Sequence, residues 1–199
     1  MPVIVDDRGQ NNSVVIAGRD APELTGRIVL TGSNNVVSIG AGCVATDFYA
    51  ELGEHSRLSI GGGCILGRLF VFALRAGVVS IGESCGFNGV IRLLAHEPGR
   101  IAIGAGCLFG GETDVTLSDM HSVLDISTGL RINPAADVVL GDSVWVGQRS
   151  TILKGSTIGT GSVIGASSVV TGAIPATASA AGNPAKVIRT GVTWRHQLM

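Results

Sequence analysis

From Leu140 an aliphatic residue returns every six positions, at Val146, Ile152, Ile158, Ile164 and Val170. Upstream the same unit recurs at a longer interval. Ser38-Ile39-Gly40-Ala41-Gly42-Cys43 is followed by Ser59-Ile60-Gly61-Gly62-Gly63-Cys64, Ser80-Ile81-Gly82-Glu83-Ser84-Cys85 and Ala102-Ile103-Gly104-Ala105-Gly106-Cys107, the isoleucines lying 21, 21 and 22 residues apart. Gly9-Gln10-Asn11-Asn12 before Ile16 matches Gly32-Ser33-Asn34-Asn35 before Ile39 at a separation of 23. Self-similarity at fixed spacing marks a solenoid. A six-residue apolar period fits neither a helix nor a simple alternating strand. It fits a three-sided coil of short parallel strands, three hexads to the turn, with turns stacked about 4.8 Å apart. The intervals of 21 to 23 then carry a few extra corner residues. Each aliphatic residue plugs the triangular interior, and the residue four places later points in beside the next corner and must be small. The expected fold is an all-β parallel β-helix. Period alone leaves its hand open, since right-handed crossovers are the general rule for parallel strands.

Composition supports this reading and excludes others. The chain of 199 residues holds 30 Gly, 23 Val and 17 Ile against eight aromatics. Charged residues make up 15% and hydrophobic residues 45%; disorder requires the reverse balance. Six prolines without a glycine triplet exclude collagen. A net charge of −1 argues against nucleic acid as a partner. The longest apolar run, Leu69 to Leu74, is far too short for a membrane span. Met1 to Arg8 shows no basic stretch leading into an apolar one, so no leader and a cytoplasmic location are expected. One β-helix domain over 1–189, with a loop insertion at 118–137 and a tail at 190–199, accounts for the whole length.

Cys43, Cys64, Cys85 and Cys107 all fall four residues after a repeat isoleucine. They should stack as an inward ladder of reduced thiols, one per coil. No C-x-x-C spacing points to a metal, and an apolar ladder is a poor place for thiolates.

The hexad rhythm fails between Leu117 and Asp137, in a polar stretch with a Thr128-Gly129 turn and Pro134. Insertions in solenoids map to loops on one face, often the binding face, and loops of this length are usually functional. Ser118-Asp119-Met120-His121-Ser122, Thr128-Gly129-Leu130-Arg131-Ile132-Asn133-Pro134 and Gly141-Asp142-Ser143-Val144-Trp145-Val146-Gly147 resemble the hexapeptide-repeat O-acetyltransferases, nearest the branch acting on bacterial surface glycans such as polysialic acid capsules. Ile174-Pro175 and Gly182-Asn183-Pro184-Ala185-Lys186-Val187-Ile188-Arg189 resemble the closing motif of that superfamily. The resemblance is strong over about residues 100–194; the first hundred match as generic coils.

That resemblance implies a left-handed β-helix, a homotrimer with active sites between subunits, and acetyl-coenzyme A as co-substrate without a metal. It implies His121 as general base, a task suited to a side chain with an unperturbed pKa near 6.5. Asp119 could orient the imidazole as the carboxylate of a triad does. Trp145, expected on the outer face, would lie at the acceptor and thioester end. Gln148 and Ala166 would line the pantetheine path, with Thr171 near its far end and Lys186 and Arg189 facing the phosphates. One departure is Thr171-Gly172-Ala173, where the family often has Thr-Lys-Asp. This predicts a weaker hold on the coenzyme.

The acceptor read here is a sugar hydroxyl of a surface polysaccharide. A small acceptor (a free sugar, an amino sugar nucleotide or an antibiotic) is the near alternative, and a non-catalytic β-helix scaffold is another. A zinc β-helix needs three histidine ligands from neighbouring coils. His96 and His121 lack that spacing, and His55 and His196 are remote. His55 and His96 fall in corners and His196 in the tail, all expected to be ordinary surface residues.

Overall fold

The computed structural model describes residues 3–18 and 23–198, and among them every regular element is a strand. Two eight-stranded parallel sheets and a six-stranded third form the sides of a triangular prism, named here sheets A, B and C. The chain visits them in turn: Thr113–Thr116 lies in A, Val138–Leu140 in B, Trp145–Val146 in C and Thr151–Ile152 in A again. The aliphatic repeat is the stacking register. Ile81, Ile103, Leu140, Ile158 and Ile174 are successive partners in sheet B, and all are buried. Each such side chain contributes about 1.5–3 kcal/mol on burial, so a thin core is sustained by repetition.

The four cysteines form the expected ladder, all free and buried. Each thiol donates to a carbonyl on the next coil: Cys43 to Gly61 at 3.2 Å, Cys64 to Gly82 at 3.3 Å, Cys85 to Gly104 at 3.2 Å and Cys107 to Gly141 at 3.2 Å. Contact with the neighbouring thiol, then burial, pushes Cys85 up to about 11. Farther along the stack Ser162 takes the same part, its hydroxyl donating to Pro175 O at 2.7 Å. Beside the ladder, Phe87 and Phe109 stack inside the prism with centroids 5.0 Å apart.

The glycine after each repeat isoleucine is required by close approach. A Cβ on Gly61 would lie 2.5 Å from the backbone nitrogen of Glu83, and one on Gly82 the same distance from that of Ala105. Two places further on the backbone enters the left-handed region, at Gly63 (φ 68°), Ser84 (φ 57°) and Gly106 (φ 65°). There serine is accepted.

The longer repeats place their extra residues between sheets A and B. Ten positions separate the inward Val71 from Ile81, where six separate Ile152 from Ile158. Part of the surplus lengthens the sheet A strands, which span six residues at Arg68–Ala73 and Val90–Ala95 but two at Thr151–Ile152. The rest forms A–B corners. The 118–137 segment leaves the prism at this same edge. At the far end Ala178–Gly182 in sheet C pairs antiparallel with Ala185–Thr190.

Candidate active site

Segment 118–137 is an ordered arm with a clamped base. Its outer part is a small hairpin: Ile132 N donates to Val123 O at 2.9 Å and Asp125 N to Leu130 O at 2.9 Å. The Asp125 carboxylate closes the tip by accepting from the backbone nitrogens of Ser127 at 2.8 Å and Thr128 at 2.9 Å. At the base, Arg131 donates through both terminal nitrogens to Glu97 at 2.6 and 2.7 Å. Ser118 Oγ donates to the same carboxylate. Arg131 first, then Ser118, holds Glu97 down to about 2.

Asn133 links this clamp to His121. Its Nδ2 donates to Asp119 Oδ2 and to His121 O, both at 2.8 Å, while its Oδ1 accepts from Val123 N at 2.7 Å. Lys154 Nζ completes the base with a 2.5 Å bond to Asp119 Oδ2. Lys154, then Asn133, keeps the Asp119 carboxyl below its ordinary range. His121 N donates to Asp119 O at 2.7 Å, so its backbone is fixed through both polar groups. The His121 ring is exposed, and among the described residues it has no hydrogen-bond partner. Asp119, expected against the imidazole, therefore spends its carboxylate on Lys154 and Asn133 and acts on the backbone beneath the histidine.

Trp145 stands on the outer face of sheet C, 40% exposed. Gly110, Trp145, Gly147, Gln148, Gly165 and Ala166 line a groove of about 350 Å³. Thr171, Gly172, Ala173 and Lys186 line a second hollow of about 270 Å³. The structure thus groups Gln148 and Ala166 with Trp145, and Thr171 with Lys186. Arg189, opposite Ser179 on the exposed hairpin strand, lines neither hollow. His121 and Trp145 are not brought together within one chain. The first is at the A–B edge and the second on sheet C, and among the described residues they share no ring contact or cavity.

Sequence reasoning passed over Glu97, Lys154, Trp194 and the clamp role of Asn133. Lys154 is one of only two lysines and Trp194 one of two tryptophans, which was the available signal. Trp194 packs on Trp145 with centroids 6.0 Å apart and donates from Nε1 to Ser143 O at 2.6 Å. His196 packs edge-on against Trp194 at 4.9 Å. His96, expected as ordinary surface, is half-buried and lines a cavity beside the arm.

Residues 137–172 match the family described as bacterial transferase hexapeptide (six repeats). The whole described chain also superposes on the crystal structure of the polySia-specific acetyltransferase NeuO, with a TM-score of 0.90, 26% identity, and coverage of 98% of this chain and 83% of that one. The chain carries the hexapeptide repeat of bacterial transferases over 137–172. Its coil is accordingly the left-handed β-helix. Among hexapeptide-repeat relatives, it is 46% identical to a polysialic acid O-acetyltransferase of Escherichia coli O1:K1 / APEC over 95 residues, 48% of this chain. That match spans about a third of the relative's length, 31%. It is 28% identical to a polysialic acid O-acetyltransferase of Neisseria meningitidis over 151 residues, covering 75% of this chain and 69% of that one.

Proposed function

We propose that this protein transfers the acetyl group of acetyl-coenzyme A to a sugar hydroxyl of a bacterial surface polysaccharide, with acidic polymers of the polysialic kind as the acceptor class. The observation that carries the reading is the clamped presentation of His121 on a coil stack that superposes on NeuO along nearly its whole length. The exposed imidazole takes the proton of the acceptor hydroxyl as its oxygen attacks the thioester carbonyl. The C–S bond of the resulting tetrahedral species then breaks, and the proton passes to the departing coenzyme thiolate. A positioned base of this kind contributes about 10²–10⁴-fold. Asp119 serves as a positioning residue through Asn133 and Lys154.

The sheet C groove supports the coenzyme assignment. Gly110, Gly147 and Gly165, each pressed against the next coil, line it beside Gln148 and Ala166 and leave a channel suited to an extended pantetheine chain. The separate hollow with Thr171 and Lys186 is assigned to the phosphates, with Arg189 adding charge from the hairpin strand. Because His121 and Trp145 lie on different sides of the prism, the working site is completed by a second copy in a homotrimer. The reaction belongs in the cytoplasm, where acetyl-coenzyme A is available.

Release of free thiol from acetyl-coenzyme A on addition of acidic oligosaccharide tests the reading. His121→Ala should lower the rate by about 10² or more without changing the melting temperature. Undiminished glycan-dependent release in that variant would remove His121 as base, and no release by the natural protein with any glycan would favour the scaffold.

A further inference from the structure

Beside the arm, sharing no lining residue with the sheet C groove, lies a cavity of about 270 Å³ built from two successive corners and the arm base. Leu74 and Arg75 come from one corner, His96 and Glu97 from the next, and Met120, Ser122 and Arg131 from the arm. Met120 and Ser122 flank His121, so a ligand held here lies next to the proposed base. The size suits one sugar residue rather than a longer segment.

Its charges are unevenly committed. Glu97 is neutralised by Arg131 at 2.6 Å. Arg75 makes no side-chain hydrogen bond or ion pair among the described residues. The cavity therefore carries one surplus positive charge. Among the described residues His96 Nδ1 is buried without a hydrogen-bond partner, while its ring stacks on Phe72 with centroids 6.1 Å apart. Burial lowers the pKa of this imidazole and favours its neutral form. That nitrogen is closed off from the cavity as it is from water, so His96 gives the cavity a ring wall rather than a hydrogen bond through Nδ1. Leu74 and Met120 supply apolar surface for a sugar face, and Ser122 and the outer lone pairs of Glu97 face its hydroxyls.

We propose that this cavity is an acceptor subsite for a carboxylate-bearing sugar residue, with Arg75 pairing the carboxylate and the His96 ring, Leu74 and Met120 walling the sugar. The subsite rests on the acetyl-transfer reading for its purpose but not for its chemistry. Charge-assisted pairing of a guanidinium with a carboxylate is the strong form of this contact.

The test is calorimetric titration of the full chain, without acetyl-coenzyme A, by a short oligosialic acid and by the same oligomer after carboxyl reduction. The natural protein should bind the acidic form about tenfold more tightly. Arg75→Gln should lose about that tenfold and keep its affinity for the reduced form, which also shows that the variant is folded. Arg57→Gln, an exposed cation on sheet B, should change neither. Equal binding of the acid by the natural protein and Arg75→Gln, no preference for the acid, or no binding of either form overturns the subsite. Displacement of the oligomer by coenzyme A would assign the cavity to phosphates and overturn it too. Thiol release measured in parallel separates the two readings: Arg75-dependent binding without transfer sinks the activity alone, and His121-dependent transfer without Arg75-dependent binding sinks the subsite alone.

Discussion

At Gly172 an added Cβ meets no heavy atom within 4 Å, although Thr171, Ala173 and Lys186 line the same hollow. Space is therefore available for the lysine that the family often carries there. Gly172→Lys should tighten acetyl-coenzyme A by about threefold to tenfold, the gain of one charge-assisted contact at a partly solvated site; an unchanged calorimetric Kd would mean that this hollow does not receive the phosphates. Glu97 gives the arm a defined acid limit. Its ordinary pKa of 4.5 is lowered to about 2 by Arg131 and then Ser118. A group whose pKa is lowered in the docked arm stabilises docking in its ionised form, fully above about pH 4.5, and that contribution is lost as pH falls toward 2. The protection factor of the Ile132 amide, bonded to Val123 O, should accordingly fall on acidification through that window once the intrinsic rate at each pH is divided out, and Glu97→Gln should show low protection already at neutral pH. A protection factor that does not change with pH in the natural protein would show that the ion pair does not hold the arm.

Among the elements, the coils were legible because each repeats one local solution. The inward aliphatic, the close-approach glycine and the small residue four places on can all be read within six residues, and the cysteine ladder follows from that register. The arm could be located but not assembled. Glu97 and Arg131 are 34 positions apart and Lys154 and Asp119 are 35 apart; both pairs meet only because coils stack, and no local pattern records which corner faces the arm. Trp194 likewise reaches back 51 positions to bond Ser143 O, and packs there on Trp145. The corner itself can be tested. Gly63→Ser copies the left-handed serine found at Ser84, with its Cβ in ordinary contact at 3.6 Å, and should cost about 1 kcal/mol. Gly82→Ala puts a Cβ 2.5 Å from the next coil's backbone and should cost about 3 kcal/mol or more, because the coils must part. Denaturant unfolding that ranks the two equally would show that conformation, not contact between coils, selects the glycines.

Across the whole molecule, one chain holds the proposed base, His121, at the A–B edge and the groove proposed for the coenzyme on sheet C. The arm that carries His121 also exposes Leu124, Ile126, Leu130 and Ile132, at 54%, 103%, 67% and 60%. Apolar side chains held out on an ordered hairpin have a use if a neighbouring copy covers them, and a cyclic arrangement would bring each arm to the next subunit. Light scattering should give the mass of three chains, and Ile126→Asp with Leu130→Asp should shift it toward one. The sharper test mixes two inactive proteins. His121→Ala keeps Trp145, and Trp145→Ala keeps His121. If each site takes its histidine from one subunit and its tryptophan from the next, co-refolding equal amounts should restore roughly a quarter of the natural sites by random assortment. If both residues come from the same chain, no combination contains an intact site and the mixture stays as inactive as its components. Recovered activity in proportion to the mixed fraction would therefore place the chemistry between subunits. Its absence, in mixtures shown by mass to have exchanged chains, would require His121 and Trp145 to meet within a single subunit, which the separation of the A–B edge from sheet C opposes.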